Sequence, residues 1–248
     1  MGRKAGSRQL KRQPSPAFWP IHRKEETWAP MPRPGPHARQ KSLPLVLILR
    51  NILGYARTSN EAKGIIKSGQ VKVDGVTRRD HRLPIGLMDV VQIQGGGTTE
   101  IFRILPKRGG GLQLTPITPE ESKFKLCKIT GKHTVKNGGR QLGLHDGRTI
   151  LYGKEQKQRT AGEVTVGSSL QLSLPDQKVI RIIPFQPGAI ALVTDGRNQG
   201  AYGKLAQVKP GTFARRKMVR LEAENEAFET PADYVMPIGA EMPLVKLG

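Results

Sequence analysis

The chain has 248 residues, of which 36% are hydrophobic and 5% aromatic, with 29 glycines and 19 prolines. That composition fits several small, turn-rich units better than one large core. Lys and Arg number 41 against 20 acids, so the formal net charge is +21, a self-repulsion that a polyanion would relieve; nucleic acid leads as the partner class, ahead of an anionic membrane.

Other classes are disfavoured. No window approaches the ~20 apolar residues of a spanning helix, and the N-terminus lacks the apolar core of a signal peptide. The single cysteine, Cys127, excludes an intrachain disulfide and a thiolate zinc site, and is expected to pack inside a strand.

Residues 1–42 read as a basic tail. Arg3, Lys4, Arg8, Lys11, Arg12, Arg23, Lys24, Arg33, Arg39 and Lys41 face only Glu25 and Glu26. Prolines from Pro14 to Pro36 forbid a continuous helix. Phe18 and both tryptophans, Trp19 and Trp28, sit among them. Such aromatics either anchor the tail on its own protein or meet an RNA or protein surface on which it folds.

Residues 43–97 form the second unit, with helix, helix, strand, turn and strand between Leu43 and Gln94. Leu45, Leu49, Ile52 and Leu53 mark one face of a first helix. Thr58-Ser59-Asn60-Glu61 has the form of a capping box. Ala62, Ile65 and Ile66 give the second helix its stripe, and Gly69 stands at its C-terminal cap. Val71 and Val73 share a strand face, Asp74-Gly75 is a hairpin turn, and Val90, Val91 and Ile93 form a later strand. Arg50, Arg57, Lys63, Lys67, Lys72, Arg78, Arg79 and Arg82 outnumber Glu61, Asp74, Asp80 and Asp89. Lys63 and Lys67 share one helix face, and cations along one flank suit a phosphate backbone. Gly95-Gly96-Gly97 is a joint or a tight turn.

Residues 98–178 read as all-β: Glu100 to Leu105, Leu112 to Ile117, Phe124 to Ile129 and the alternating Leu170, Leu172 and Leu174 are strands, with turns at Asn137-Gly138 and Asp146-Gly147. A small barrel or sandwich is expected. Residues 179–211 add strands at Val179–Ile183 and Gly188–Val193 and a glycine-rich loop, Asp195 to Lys204, from which Arg197 and Lys204 project. Residues 212–248 turn acidic and read as a packing or docking segment. The whole is α+β and multi-domain: a helix-pair-plus-sheet unit followed by β-rich, barrel-like units.

Chemistry is not visible. Gly131-Lys132, Gly153-Lys154 and Gly203-Lys204 lack the residues of a phosphate-binding loop. His22, His37, His81, His133 and His145 are scattered without metal-ligand spacing and read as surface or RNA-facing. No catalytic residue, metal or cofactor is expected, and no small-molecule substrate.

The helix pair followed by Gly69-Gln70-Val71-Lys72-Val73-Asp74-Gly75, Asp80 and Asp89-Val90-Val91 resembles the S4 RNA-binding domain. Gly188 to Lys204 resembles a KOW motif. With Phe18-Trp19-Pro20-Ile21, Trp28-Ala29-Pro30, Arg33-Pro34-Gly35-Pro36-His37, Thr194-Asp195-Gly196-Arg197-Asn198 and Phe228-Glu229-Thr230, the chain resembles the archaeal and eukaryotic ribosomal S4e family, in its archaeal form. The resemblance implies a cytoplasmic, ribosome-bound structural protein whose partners are small-subunit rRNA and neighbouring ribosomal proteins. The implied RNA contacts are the tail cations named above with Trp19 and Trp28, then Arg50, Arg57, Lys63, Lys67, Lys72, Arg78, Arg79, Arg197 and Lys204. An RNA-modifying enzyme with the same appended domain, or a KOW-type translation or transcription factor, stays open as an alternative. Asp146 and Asp176, both in turn-like settings, are the weak acid candidates for the enzyme.

Overall fold

A computed structural model describes residues 9–95, 97–135, 139–152, 164–213, 215–223 and 226–247. Arg3, Lys4, Arg8 and the Asn137-Gly138 turn lie outside them. The described residues are mostly β-sheet, with two short helices beside single 3-10 turns.

The tail is folded onto the protein. β1 (Leu10–Lys11) pairs with β2 (Trp28–Ala29), with Leu10 opposite Ala29 and Lys11 opposite Trp28. Alternation turns Leu10 and Ala29 into the core and leaves Lys11 and Trp28 outside. Trp19 is 2% exposed, and its indole N–H donates to the Ser42 carbonyl at 2.8 Å. Of the two readings of the tail aromatics, the structure gives Trp19 the anchoring one.

β3 (Ser42–Pro44) leads into α1 (Leu45–Leu47), which widens into a π-turn over Ile48–Ile52. The Leu53 amide donates to the Ile48 carbonyl at 2.9 Å, and Gly54 leaves the helix with φ +70°. The expected first helix is present, but its expected one-sided stripe is corrected. Leu45, Val46, Leu47, Ile48 and Leu49 are all buried, while Ile52 is exposed. A segment covered on every side has no polar face for a period to reveal.

α2 (Ser59–Lys67) carries the expected capping box: the Glu61 amide donates to the Thr58 hydroxyl, and the Thr58 amide to the Glu61 carboxylate. Ala62 and Ile66 bury its stripe. Gly69 takes φ +86°, as a left-handed cap requires.

Strands β4 (Val71–Val73) and β5 (Val76–Thr77) flank Asp74-Gly75, whose positive φ values, 51° and 77°, make the primed hairpin turn. β6 (Pro84–Gly86) pairs with β3. β7 (Val90–Gly95), β8 (Thr98–Pro106) and β9 (Leu112–Pro116) complete a five-stranded sheet ordered β5-β4-β7-β8-β9. Gly95 faces Thr98 across the β7–β8 hairpin, so the expected boundary after Gly97 falls inside one sheet.

β10 (Phe124–Thr134), β11 (Arg140–Leu144), β12 (Thr149–Tyr152), β13 (Ser169–Ser173) and β14 (Val179–Ile183) form a second sheet ordered β12-β11-β10-β13-β14. β15 (Ile190–Val193), β16 (Tyr202–Lys209), β17 (Met218–Glu222), β18 (Ala227–Pro231) and β19 (Val235–Gly239) form a third, ordered β18-β17-β16-β15-β19. The residues beyond 211 therefore pack as strands of that sheet. All three sheets are open, so the expected barrel-like closure is absent among the described residues. The sheets meet in a shared core that includes Leu105, Leu126, Ile183, Leu192, Met236 and Ile238.

Candidate nucleic-acid interface

Two basic surface regions emerge. The first surrounds α2. Lys67 is exposed at its last turn, and Arg78 and Arg79 follow β5 at the surface. A Cβ on Gly69 would stand 3.8 Å from the Arg79 guanidinium, so Arg79 lies over the end of the helix beside Lys67. Lys63 is half-buried one turn earlier. It acts on His81, whose pKa is lowered by burial first and then by Lys63. Arg57 is exposed just before the helix. Glu61 forms no ion pair among the described residues: its carboxylate accepts from the Arg57 and Thr58 amides at 2.9 and 3.4 Å, and those bonds and the Thr58 hydroxyl lower its pKa.

The second region joins distant segments. In the β15–β16 loop, Gly200 (φ +81°) rests on the β8–β9 turn so closely that a Cβ there would come 2.7 Å from the Arg108 amide nitrogen. The Gln199 side-chain amide donates to the Gly111 carbonyl at 2.7 Å, and Phe18 of the tail packs on Gly111. Lys41 forms an ion pair with Asp195 at 2.7 Å. Arg39, Arg197, Lys107 and Arg108 are exposed around this junction. Lys107 and Arg108 were not among the expected contacts. Their pairing with the loop is a tertiary fact, and only the glycines at both ends hinted at close packing.

The remaining expected residues divide. Lys11, Arg23, Lys24 and Trp28 are exposed. Arg33 is exposed and pairs with Asp80 at 3.2 Å. Arg50 is occupied, pairing with Glu26 at 2.8 Å and donating to the Ser59 hydroxyl at 2.7 Å. Lys72 is half-buried on the β4 face away from Val71 and Val73. Lys204 is exposed but stands opposite Glu222 across β16 and β17, apart from the basic loop. Arg12 and Trp19 are corrections. Arg12 is 5% exposed and spends its guanidinium on the Ile21 carbonyl at 2.7 Å and the Ser15 hydroxyl at 2.9 Å. Neither side chain reaches a ligand without leaving the core.

Sequence reasoning missed a buried charge network. Lys125 is fully buried; its ammonium lies 2.9 Å from Asp74 and 3.1 Å from Asp146, and also contacts Asp89. Arg148 pairs with Asp74 and, at 3.3 Å, with Asp146. His37 Nε2 lies 3.0 Å from Asp89. Burial alone would discharge Lys125, but the carboxylates outweigh it and raise its pKa. Burial likewise opposes the Asp89 charge, and Lys125 and then His37 reverse the balance and lower its pKa. Asp146 is thus a partner of Lys125 and Arg148 and not an acid free to act. Cys127 is buried beside it, and burial pushes its thiol pKa up, away from a nucleophilic thiolate.

Two histidines expected at the surface make internal contacts instead. His37 is buried. His145 is half-buried, accepting from the Lys128 amide at Nδ1 (3.1 Å) and contacting the Leu87 carbonyl from Nε2 at 3.2 Å. Both ring nitrogens are used by the neutral imidazole, since a second proton at Nδ1 would face the Lys128 N–H. Its pKa falls to about 4, from burial first and Lys125 next. The folded pKa lies below the ordinary 6.5, so stability is full above about pH 6.5 and is lost as pH falls toward 4. The loss should reach at most about 3 kcal/mol. Urea denaturation of the wild type against His145→Gln over that range checks it, and the variant should show a flatter profile.

Among the described residues, no group of three or more His, Cys, Asp or Glu could hold a metal ion, and no helix is long and apolar enough to cross a membrane.

Comparison with known proteins follows the same division. Residues 4–40 match the RS4NT (NUC023) domain, 43–91 the S4 domain, and 98–179 the ribosomal family S4e. The small ribosomal subunit protein eS4 of Ignicoccus hospitalis is 44% identical, covering 98% of this chain and 95% of that protein. That of Aeropyrum pernix is also 44% identical, covering 100% and 98%. The crystal structure of the 30S ribosomal protein S4e from Thermoplasma acidophilum superposes with a TM-score of 0.68 at 33% identity, covering 81% of this chain and 96% of that one. Full-length relatives at this identity share more than a domain, and the chain belongs to ribosomal family S4e.

Proposed function

We propose that the protein is a structural constituent of the small ribosomal subunit that binds rRNA through its surface cations and supports assembly and translation. One observation carries the reading: on a chain of net charge +21 that belongs to a ribosomal family, Lys67 of α2 and Arg78 and Arg79 after β5 stand exposed with no ion-pair partner among the described residues. Phosphate contacts position such a protein, and shape and backbone recognition dominate over base reading. The family is one of structural ribosomal proteins and not of enzymes, and its place is the ribosome in the cytoplasm. No small-molecule substrate or membrane enters this account.

The contacts we assign are Arg57, Lys63, Lys67, Arg78 and Arg79 around α2, and Arg39, Lys41 and Arg197 at the loop junction. Lys11, Arg23, Lys24, Trp28 and Arg33 extend them along the tail. We read residues 188–204 as a KOW-like hairpin, supported by the β15–β16 pairing and the tight loop between them. The division into 1–42, 43–97, 98–178, 179–211 and 212–248 is a functional one, supported by the matched family ranges, while the sheets knit the pieces together. The acidic end is assigned to neighbouring ribosomal proteins.

Lys63→Ala with Lys67→Ala tests the α2 flank. In filter binding to small-subunit rRNA, affinity should fall and the slope of log K against log salt should shallow by up to about two. An unchanged slope would show that α2 faces away from the RNA.

A further inference from the structure

Between the tail and α2 runs a groove of about 360 Å³, within the roughly 300–1,000 Å³ range of small-ligand sites. Trp28 lines it, together with Lys63, His81 and Arg82; Met31 and Val46 supply apolar lining. Trp28 is 51% exposed on a two-stranded ribbon directly opposite Lys11. Its open ring face therefore shares one groove with cations. The charge balance at the rim is positive. Glu26 is consumed by Arg50 and Asp80 by Arg33, while no ion pair engages Lys63 or Arg82 among the described residues. The exposed indole is suited to stacking, the two cations to a phosphate, and His81, held toward its neutral form by burial and Lys63, to a neutral hydrogen bond with a base or ribose.

The geometry points to this groove as the seat of one unpaired RNA nucleotide, its base against the Trp28 indole and its phosphate on Lys63 and Arg82. The inference deepens the RNA-binding reading and rests on it. It favours single-stranded over duplex RNA, because a paired base has no free face to offer the indole.

The test uses the full chain and a short fluorescently labelled oligouridylate, with a duplex of equal length beside it. RNA binding is read by anisotropy and tryptophan emission in parallel. The chain has two tryptophans. Trp19 is buried, so emission quenching reports Trp28. The single strand should quench emission, and Trp28→Leu should abolish the quenching and weaken single-strand binding roughly five- to a hundredfold, the range of one base–aromatic stack. Duplex affinity should change less than about twofold, and Trp28→Tyr should keep single-strand affinity within a few-fold of wild type because its ring still stacks. Circular dichroism of each variant establishes that it is folded. If the single strand binds with emission unchanged and Trp28→Leu within twofold of wild type, the nucleotide seat is wrong while RNA binding stands. Equal quenching by the duplex would also overturn it. If neither these RNAs nor small-subunit rRNA bind, the RNA-binding reading fails and this inference with it.

Discussion

Lys125→Met is expected to cost about 3–5 kcal/mol of stability, because it strands buried carboxylates without their cation. Lys125 sits on β10, while Asp74 comes from the β4–β5 turn, Asp89 from the residue before β7 and Asp146 from the β11–β12 turn. The ammonium therefore ties the first sheet to the second. Its carboxylates are not free to reorganise: Asp74 also accepts from the Val90 amide at 3.0 Å and Asp89 from the Gly86 amide at 2.8 Å. For a chain of this length the loss corresponds to a fall in midpoint temperature on the order of 10 °C. Adding Asp89→Asn to Lys125→Met should recover part of it, since an amide leaves no buried charge to compensate. Urea denaturation at neutral pH measures both. A Lys125→Met chain within 1 kcal/mol of wild type would show that Arg148 and His37 satisfy the carboxylates without it.

Trp19→Ala should be comparably damaging, about 3–5 kcal/mol. The indole packs with Leu10, Ile21, Leu43 and Ile48 in one core, and its N–H satisfies the Ser42 carbonyl. Removing it opens a cavity under the tail and leaves a buried acceptor without its donor. Trp19→Phe, which keeps a ring and loses only the donor and some volume, should cost less than half as much. Limited proteolysis adds a local readout: tail sites between residues 10 and 29 should become cleavable in Trp19→Ala before the sheets do. Resistance equal to wild type would mean that β1–β2 pairing and Arg12 hold the tail unaided.

What could be read from the sequence was local. The capping box at Thr58 and Glu61, the left-handed Gly69 and the Asp74-Gly75 turn each depend on residues within a few positions, and each appears as expected. The strands at 71–73, 90–95 and 170–172 follow their alternation for the same reason. The buried network was out of reach, since Lys125 meets residues 51 and 36 positions earlier, and nothing near Lys125 marks it as buried. The first helix forms where expected, but Leu45 to Leu49 are all buried and Ile52 is exposed, so the stripe expected on it does not mark its core face. Among site residues, Arg12 and Trp19 had the right chemistry for RNA but found partners inside the protein. Lys107 and Arg108 look like an ordinary basic turn until Gly200 is seen resting on them.

A stoichiometric scaffold of the small subunit stays bound under conditions in which a transient factor washes off. Sedimentation of small subunits before and after a high-salt wash tests most directly which of the two this chain is. Salt weakens each phosphate contact, but many simultaneous contacts should retain the protein at about one copy per subunit after the wash. Loss of the chain from washed subunits, with recovery in the supernatant, would contradict the account and mark it as a transient factor.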